Sequence, residues 1–329
     1  MGRLMPLIGA RLSADTAVGA HILAWRGDVG PAGQSVPLRL AGALHSLVLD
    51  GTEPRLTAVY PPNEAPEDAL WRAVEAALET HAARIMAWLD HAPQTNELRR
   101  SVALHPALWW LCARIGSARA VMLSELGASA GLNLQFDRTA IVTPFGLAGA
   151  KDAAIRFRPD WRGAPLPPPA GPEVIDRAGI DRNPIDLADP VQALRLLSYL
   201  WPDQPERLDR TRAAFRLVDR PPDRGDAAPW LAARLRAWRA RDMPDASLHM
   251  VFNTIAWQYF PPDTQAACTA ALEAAGAAAT KDKALAHVAL EADGRRDGAA
   301  LTVRLWPHAP APHLLAHVDF HGRWLHWHG

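Results

Sequence analysis

One short apolar run that ends in a glycine turn limits what this chain can fold into more than any other feature. Val121-Met122-Leu123-Ser124-Glu125-Leu126 runs straight into Gly127-Ala128-Ser129-Ala130-Gly131. A run of that length bounded by turn residues reads as a strand buried on both faces. Small residues after it let the backbone turn sharply and let another group approach closely. If a helix follows, its first N–H groups lack internal acceptors and favour polar or anionic ligand groups. Residues 125–133 therefore read as a strand–turn–helix unit. Glu125, at the strand's end, is an acceptor for hydroxyl or ammonium groups.

The patterning differs on the two sides of this unit. Before it, Ala69 to Leu89 places Leu70, Val74, Ala77, Leu78, Ile85 and Leu89 near a 3.6-residue period. Pro37–Leu49 and Glu97–Ile115 read as helices too, with Pro106 expected to break the second. After it come strand-like segments at Val174–Asp181, Leu248–Trp257, Leu285–Glu291, Ala300–Trp306 and Leu315–Trp327. Helical stretches lie between them at Pro190–Leu200, Glu206–Leu217, Ala228–Arg239 and Asp263–Ala275. Alternation of this kind predicts a parallel α/β sheet, and the closely spaced last strands predict an antiparallel finish. The expected organisation is a helical cap domain over 1–118 and an α/β domain over 119–329. A Pro-rich insertion falls near 160–172.

Lys plus Arg and Asp plus Glu both number 35, so the formal net charge is zero. No overall field draws nucleic acid or an anionic membrane, which argues against bulk polyanion binding. Hydrophobic residues make up 49% and charged ones 21%, too apolar a mix for disorder. Two cysteines fit a reducing compartment. The most apolar stretch, Ser101–Ser124, is interrupted by His105, Pro106, Arg114 and Arg119, too often for a bilayer span of about 20 residues. A cytoplasmic protein without nucleic-acid or membrane partners is expected. The 13 tryptophans permit a homodimer interface without requiring one.

Two functional readings of the glycine turn compete with a bare structural turn. Glu125-x-Gly127-x-Ser129-x-Gly131 resembles the acidic-x-Gly-x-Gly-x-Gly loop of Rossmann-like S-adenosylmethionine (SAM) methyltransferases. Gly127-x-Ser129-x-Gly131 also matches the nucleophile elbow of serine hydrolases. Position favours the first, because the motif lies on the first strand and no glycine-rich oxyanion loop precedes it. The methyltransferase resemblance implies that Gly127, Ser129 and Gly131 line the methionine and ribose region. It also implies that Asp181 meets the ribose, Asp226 the adenine, and Glu125 polar groups of the cofactor. Asp181 also suits a turn, and Asp226 a helix N-cap. Asn253, Thr254 and Gln258 follow the fourth strand, on the cofactor side of such folds. Ser129 stands where the family has its middle glycine, so its side chain either narrows the groove or joins the site.

A broader resemblance covers nearly the whole chain. It is carried by Leu38–His45, Tyr60-Pro61, Gln94–Glu97 with Arg100-Ser101, Glu125–Asn133, Trp161–Gly163, Asp181–Asp186, Trp201–Gln204, Trp306-Pro307 and His321-Gly322 with Trp327. These strings resemble the bacterial domain of unknown function 2332 family. That resemblance by itself implies no activity.

Gln94-Thr95-Asn96-Glu97-Leu98-Arg99-Arg100 is the other dense polar string. Helix capping accounts for Asn96 or Thr95, and a first-turn position favoured by the helix dipole accounts for Glu97. Gln94, Asn96, Glu97 and Arg100 are candidates to hold a small polar substrate, with Arg100 suited to a carboxylate. Glu97, His45 and Asn253 are candidate catalytic groups, although a lone helical His such as His45 is more often structural. Alternation from Leu315 to His321 puts His317, Asp319 and His321 on one face. A solvated hairpin face explains them better than a metal site. No metal is expected. The expected function is SAM-dependent methyl transfer to a small polar molecule. The alternatives are a serine hydrolase using Ser129 and a non-catalytic ligand-binding protein on a degenerate methyltransferase fold.

Overall fold

The computed structural model describes residues 1–31, 33–116, 120–166 and 171–329. The boundary expected at 118 and part of the Pro-rich insertion, 167–170, lie outside the described residues. In chain order the elements begin with α1 (Leu4–Arg11), α2 (Ala17–Leu23), α3 (Val36–Leu49), α4 (Pro54–Val59), α5 (Glu67–Thr80), α6 (Ala82–Leu89) and α7 (Ser101–Arg114). Then come β1 (Ala120–Leu126), β2 (Ala140–Thr143), β3 (Gly146–Gly149), β4 (Arg156–Phe157), β5 (Asp160–Gly163) and β6 (Glu173–Asp181). The remainder is α8 (Pro190–Ser198), α9 (Pro205–Phe215), β7 (Asp223–Arg224), α10 (Ala227–Ala240), β8 (Ser247–Thr254), α11 (Pro262–Gly276), β9 (Lys283–Glu291), β10 (Ala299–Trp306), β11 (Ala309–Val318) and β12 (Trp324–Trp327).

Two compact units result: residues 1–95 with 187–212, and residues 96–186 with 213–329. The first is helical. Its core gathers Leu70, Val74, Ala77, Leu78, Ile85 and Leu89, the residues on the apolar period, with Leu44, Leu47, Tyr60, Trp88 and Tyr199. The helix expected over Ala69–Leu89 is broken at His81, which leaves helical geometry at φ −110°, ψ 23°. Its Nε2 lies 3.1 Å from Glu53 Oε2.

The second unit holds a nine-stranded sheet in the order β5-β12-β11-β10-β9-β8-β1-β6-β7. From β7 through β6, β1 and β8 to β9, every neighbouring pair is parallel. From β9 to β12 the pairs are antiparallel, and β12 closes on β5 in parallel. The expected antiparallel finish is present. Helices α10 and α11 cross between parallel strands. Leu231, Leu235, Trp238, Cys268 and Leu272 from these helices pack with Met122, Leu126, Ile180 and Val251 of the sheet. Burial of such apolar faces is what holds the layers together.

Two local expectations fail. Pro106 sits inside α7 without breaking it. Ser101 to Cys112 are all buried, and that packing outweighs the hydrogen bond lost to proline. The glycine turn opens a six-residue 3-10 helix, Asn133–Arg138, not an α-helix. A small sheet ordered β3-β2-β4 follows, before the Pro-rich stretch, where no strand was expected. Among the described residues, no helix is long and apolar enough to cross a membrane.

Candidate functional site

Strand β1 is buried along its whole length between β6 and β8. This puts its C-terminal end at the middle of the parallel array. There the chain takes left-handed geometry at every second residue: Gly127 φ +71°, Ser129 φ +54° and Gly131 φ +73°. Glycine adopts this region freely, while a side chain is strained in it. A Cβ on Gly127 would also stand 2.5 Å from Ala256 Cβ.

The loop's N–H groups are not left open for an anion. Gly127 and Ala128 donate to Ile180 O at 2.9 and 3.0 Å, and Gly131 to Ala128 O at 2.7 Å. Ser129 N donates to Asp181 Oδ2 at 2.8 Å, and Leu132 N to Asn96 Oδ1 at 2.9 Å. The expectation of free donors at a helix start is thereby corrected, because a turn wound this tightly uses its donors to hold itself to β6. Asn96 anchors the end of the loop. It does not begin a helix.

The site offers acceptors. Glu125 Oε2, Ser129 Oγ and Asn133 Oδ1 are buried and have no hydrogen-bond partner. Burial pushes the Glu125 carboxyl well above its ordinary range, with Asp181 adding to the rise; Arg100 and hydrogen bonds from Leu134 and Asn133 oppose it. Glu125 thus resists ionisation in a pocket of unmet acceptors. Buried polar atoms are nearly always paired, so three unpaired together set this end of the strand apart.

Arg100 lies beside this group. Its Nε donates to Phe320 O and its Nη1 to Thr254 O, both at 3.1 Å. Burial disfavours its charge, while Glu97, Glu291 and Glu125 favour it. Glu97 accepts from Arg99 N at 3.0 Å and so caps the short 3-10 turn Leu98–Arg100, the task expected of Asn96 or Thr95. Glu291 ends β9, and Glu125 is the last residue but one of β1. Its Oε1 accepts from Asn253 Nδ2 (2.7 Å), Ala256 N (2.9 Å) and Trp257 N (3.0 Å). Its Oε2 is buried and unpaired. Asn253 Oδ1 meets His287 Nε2 at 2.8 Å. These bonds pin the backbone after β8, where Ile255 takes φ +51°. A β-branched residue is strained there, a feature that clusters at functional sites.

The structure therefore gathers Glu125, Ser129, Asp181, Asn96, Glu97, Arg100 and Asn253 at one end of the parallel strands. Asp226 caps α10 by accepting from Ala228 N at 2.9 Å and also accepts from Thr264 Oγ1 at 3.1 Å. His45 and Gln94 belong to the first unit. His45 Nδ1 lies 3.1 Å from Ser198 O, and burial lowers its pKa to about 4. Sequence reasoning missed Glu291 and Asn133. An acid at the end of an expected strand was the available signal for Glu291. A cleft of about 100 Å³ lies against the same region, lined by Leu134, Gln135, Arg177, Gly179, Pro222 and Asp223.

The His317-Asp319-His321 face is not formed as expected. Asp319 is buried, not solvated, and accepts from the backbone of His321 and Arg323 and from the Arg323 guanidinium. Among the described residues no group of three or more His, Cys, Asp or Glu is arranged to hold a metal ion.

A family model described as "Uncharacterized protein conserved in bacteria (DUF2332)" matches residues 1–327. The chain belongs to the DUF2332 family. No curated protein and no solved structure matches it. Several strings that carry the DUF2332 resemblance have physical reasons in this chain. Gly42 leaves room for the Tyr199 ring, which a Cβ would meet at 2.6 Å. Gly322, at φ +70°, lies against Arg99 O, where a Cβ would collide. Asp181 binds the glycine loop and then turns the chain by accepting from Asn183 N at 2.8 Å.

Proposed function

We propose that the second unit is a Rossmann-like, SAM-dependent methyltransferase-type domain acting on a small polar molecule. One observation carries the reading. Three unpaired, buried acceptors stand at the C-terminal end of β1, inside a parallel array ordered β7-β6-β1-β8-β9. Open α/β sheets bind ligands outside the carboxyl ends of their strands, at the point where strand order reverses. Here β1 continues outward on one side to β6 and on the other to β8, so its end is that point.

The residues present suit the cofactor chemically. SAM carries an ammonium group, ribose hydroxyls and an adenine amino group, all donors, and a sulfonium charge. Glu125 Oε2, Ser129 Oγ and Asn133 Oδ1 are buried without partners and can each accept such a donor. Asp181 keeps unused lone pairs after its two backbone bonds. Glu125, Ser129 and Asp181 would hold the cofactor. Gly127 and Gly131 shape the loop around it. Asp226, whose bonds are to Ala228 N and Thr264 Oγ1, enters only by strand order.

When bound, SAM supplies an activated methyl group. The chain's own residues then position and desolvate the acceptor. Arg100, held on two carbonyls, and the Glu97 and Glu291 carboxylates that act on it form the polar wall for that molecule. Glu97 is the candidate proton acceptor. Asn253 and His287 keep Glu291 in place.

A serine hydrolase draws support from the left-handed Ser129, but its Oγ has no hydrogen-bond partner and so no base. A thermal-shift series separates the readings. SAM and S-adenosylhomocysteine are expected to raise the melting temperature, and a fluorophosphonate probe is expected to leave Ser129 unlabelled. Labelling that disappears in Ser129→Ala, with no shift by either nucleoside, would establish the hydrolase instead.

A further inference from the structure

In the helical unit, a second group of unpaired polar atoms consists of donors. Arg195 on α8 lays its guanidinium over the Trp88 indole, 4.4 Å from the ring centroid. Arg39 on α3 is buried, with Nε on Gln34 O (2.8 Å) and Nη1 on Leu89 O (2.7 Å). Tyr199 follows α8 and packs into the space that Gly42 leaves. Both guanidinium charges act on the Tyr199 hydroxyl and on the His91 ring. These two arginines, Trp88, Tyr199 and His91 therefore share one locality.

Three donors in that locality are buried and unmet: Arg195 Nη1, Trp88 Nε1 and Tyr199 Oη. Trp88 and Tyr199 are each only 4% exposed. The Trp88 N–H faces the Tyr199 hydroxyl without reaching hydrogen-bond geometry. Among the described residues neither Arg39 nor Arg195 forms an ion pair with a carboxylate. A buried donor without an acceptor and a buried cation without a counter-charge are each costly. Water could meet the donors, but it brings no negative charge.

We propose that Arg195, Trp88 and Tyr199, backed by Arg39, form a binding site for a small oxyanion group, phosphate or carboxylate, separate from the sheet site. The guanidinium edge meets oxygen in a planar fork, and the phenol O–H, with the indole N–H directed at its oxygen, is left to donate to a remaining oxygen. Arg195 is half-buried and His91 is exposed, so solvent reaches the edge of the group.

Calorimetric titration of the full chain with inorganic phosphate, and separately with acetate, at constant ionic strength tests this site. Saturable binding of one or both is expected, and the stronger ligand identifies the anion class. Arg195→Gln is expected to weaken it about tenfold or more. Tyr199→Phe keeps the ring against Gly42 and is expected to weaken it several-fold without lowering the melting temperature. The site is overturned if neither anion binds, or if binding is the same in both variants as in the parent chain.

Discussion

Ser129 N and Asp181 Oδ2 stand 2.8 Å apart. That bond fastens the left-handed middle of the glycine loop to the end of the neighbouring strand. The same carboxylate takes the N–H of Asn183, so it also turns the chain out of β6. The position at which a methyltransferase resemblance puts a ribose ligand thus has a structural task as well. Asp181→Ala removes the acceptor of two backbone donors and is expected to lower stability by about 2 kcal/mol. Urea unfolding at unchanged m-value reads this directly. Asp181→Asn, which keeps one acceptor oxygen, is expected to lose less.

Ser129 combines left-handed backbone with an unpaired buried hydroxyl. Removing both burdens should help the fold. Ser129→Gly is expected to stabilise by about 0.5–1 kcal/mol, and Ser129→Val to destabilise by at least as much. If the hydroxyl serves a ligand, Ser129→Gly binds it more weakly while melting higher. A scan of melting temperature beside binding affinity shows whether the two move in opposite directions, as sites retained for function do.

Glu125 links stability to pH. Burial first, then Asp181, raises its folded pKa well above its ordinary 4.5. The folded state therefore holds this proton where the unfolded chain has released it. The resulting stability is full below the unfolded pKa and is lost as pH rises through the folded one. Glu125→Gln does not ionise. The gap in unfolding midpoint, variant minus parent, is expected to grow as pH rises above 4.5. A constant gap would show an ionised Glu125 already paired within the protein.

The buried histidines act in the other direction. Burial lowers His45 to about 4, His105 to about 3, His249 to about 3 and His287 to about 4. Below the ordinary value of 6.5, the unfolded chain binds protons that these rings refuse, so stability falls with falling pH. Each contributes about 1.4 kcal/mol per pH unit in the window between its two values. Ring-proton titration by NMR is expected to show all four rings neutral from pH 8 down to about 5. Titration of His249 near 6.5 would contradict its enclosure against Ser124 and Trp238.

Much of the second unit was legible because its strands are short apolar runs with turns between them. The segments read at Val174–Asp181, Leu248–Trp257 and Leu285–Glu291 became β6, β8 and β9 with small shifts at their ends. The strands β2 to β5 were not read. Gly146–Gly149 is mostly exposed and Arg156–Phe157 has two residues, so neither carries an apolar period. The 3-10 turn after Gly131 escaped notice because the loop before it is held by Ile180, Asp181 and Asn96, which are distant in sequence. Within the site, Glu125 and Ser129 could be found from local spacing. Glu291 and Asn133 matter through contacts across the sheet, which spacing does not encode.

The most direct test is isothermal titration of the full chain with SAM and with S-adenosylhomocysteine, repeated on Glu125→Gln. The account requires saturable heat with both nucleosides, weakened about tenfold or more when the Glu125 carboxyl is replaced. Absence of heat at millimolar ligand, in a chain shown by circular dichroism to be folded, would contradict the cofactor claim. The three unpaired acceptors would then belong to a ligand of another kind.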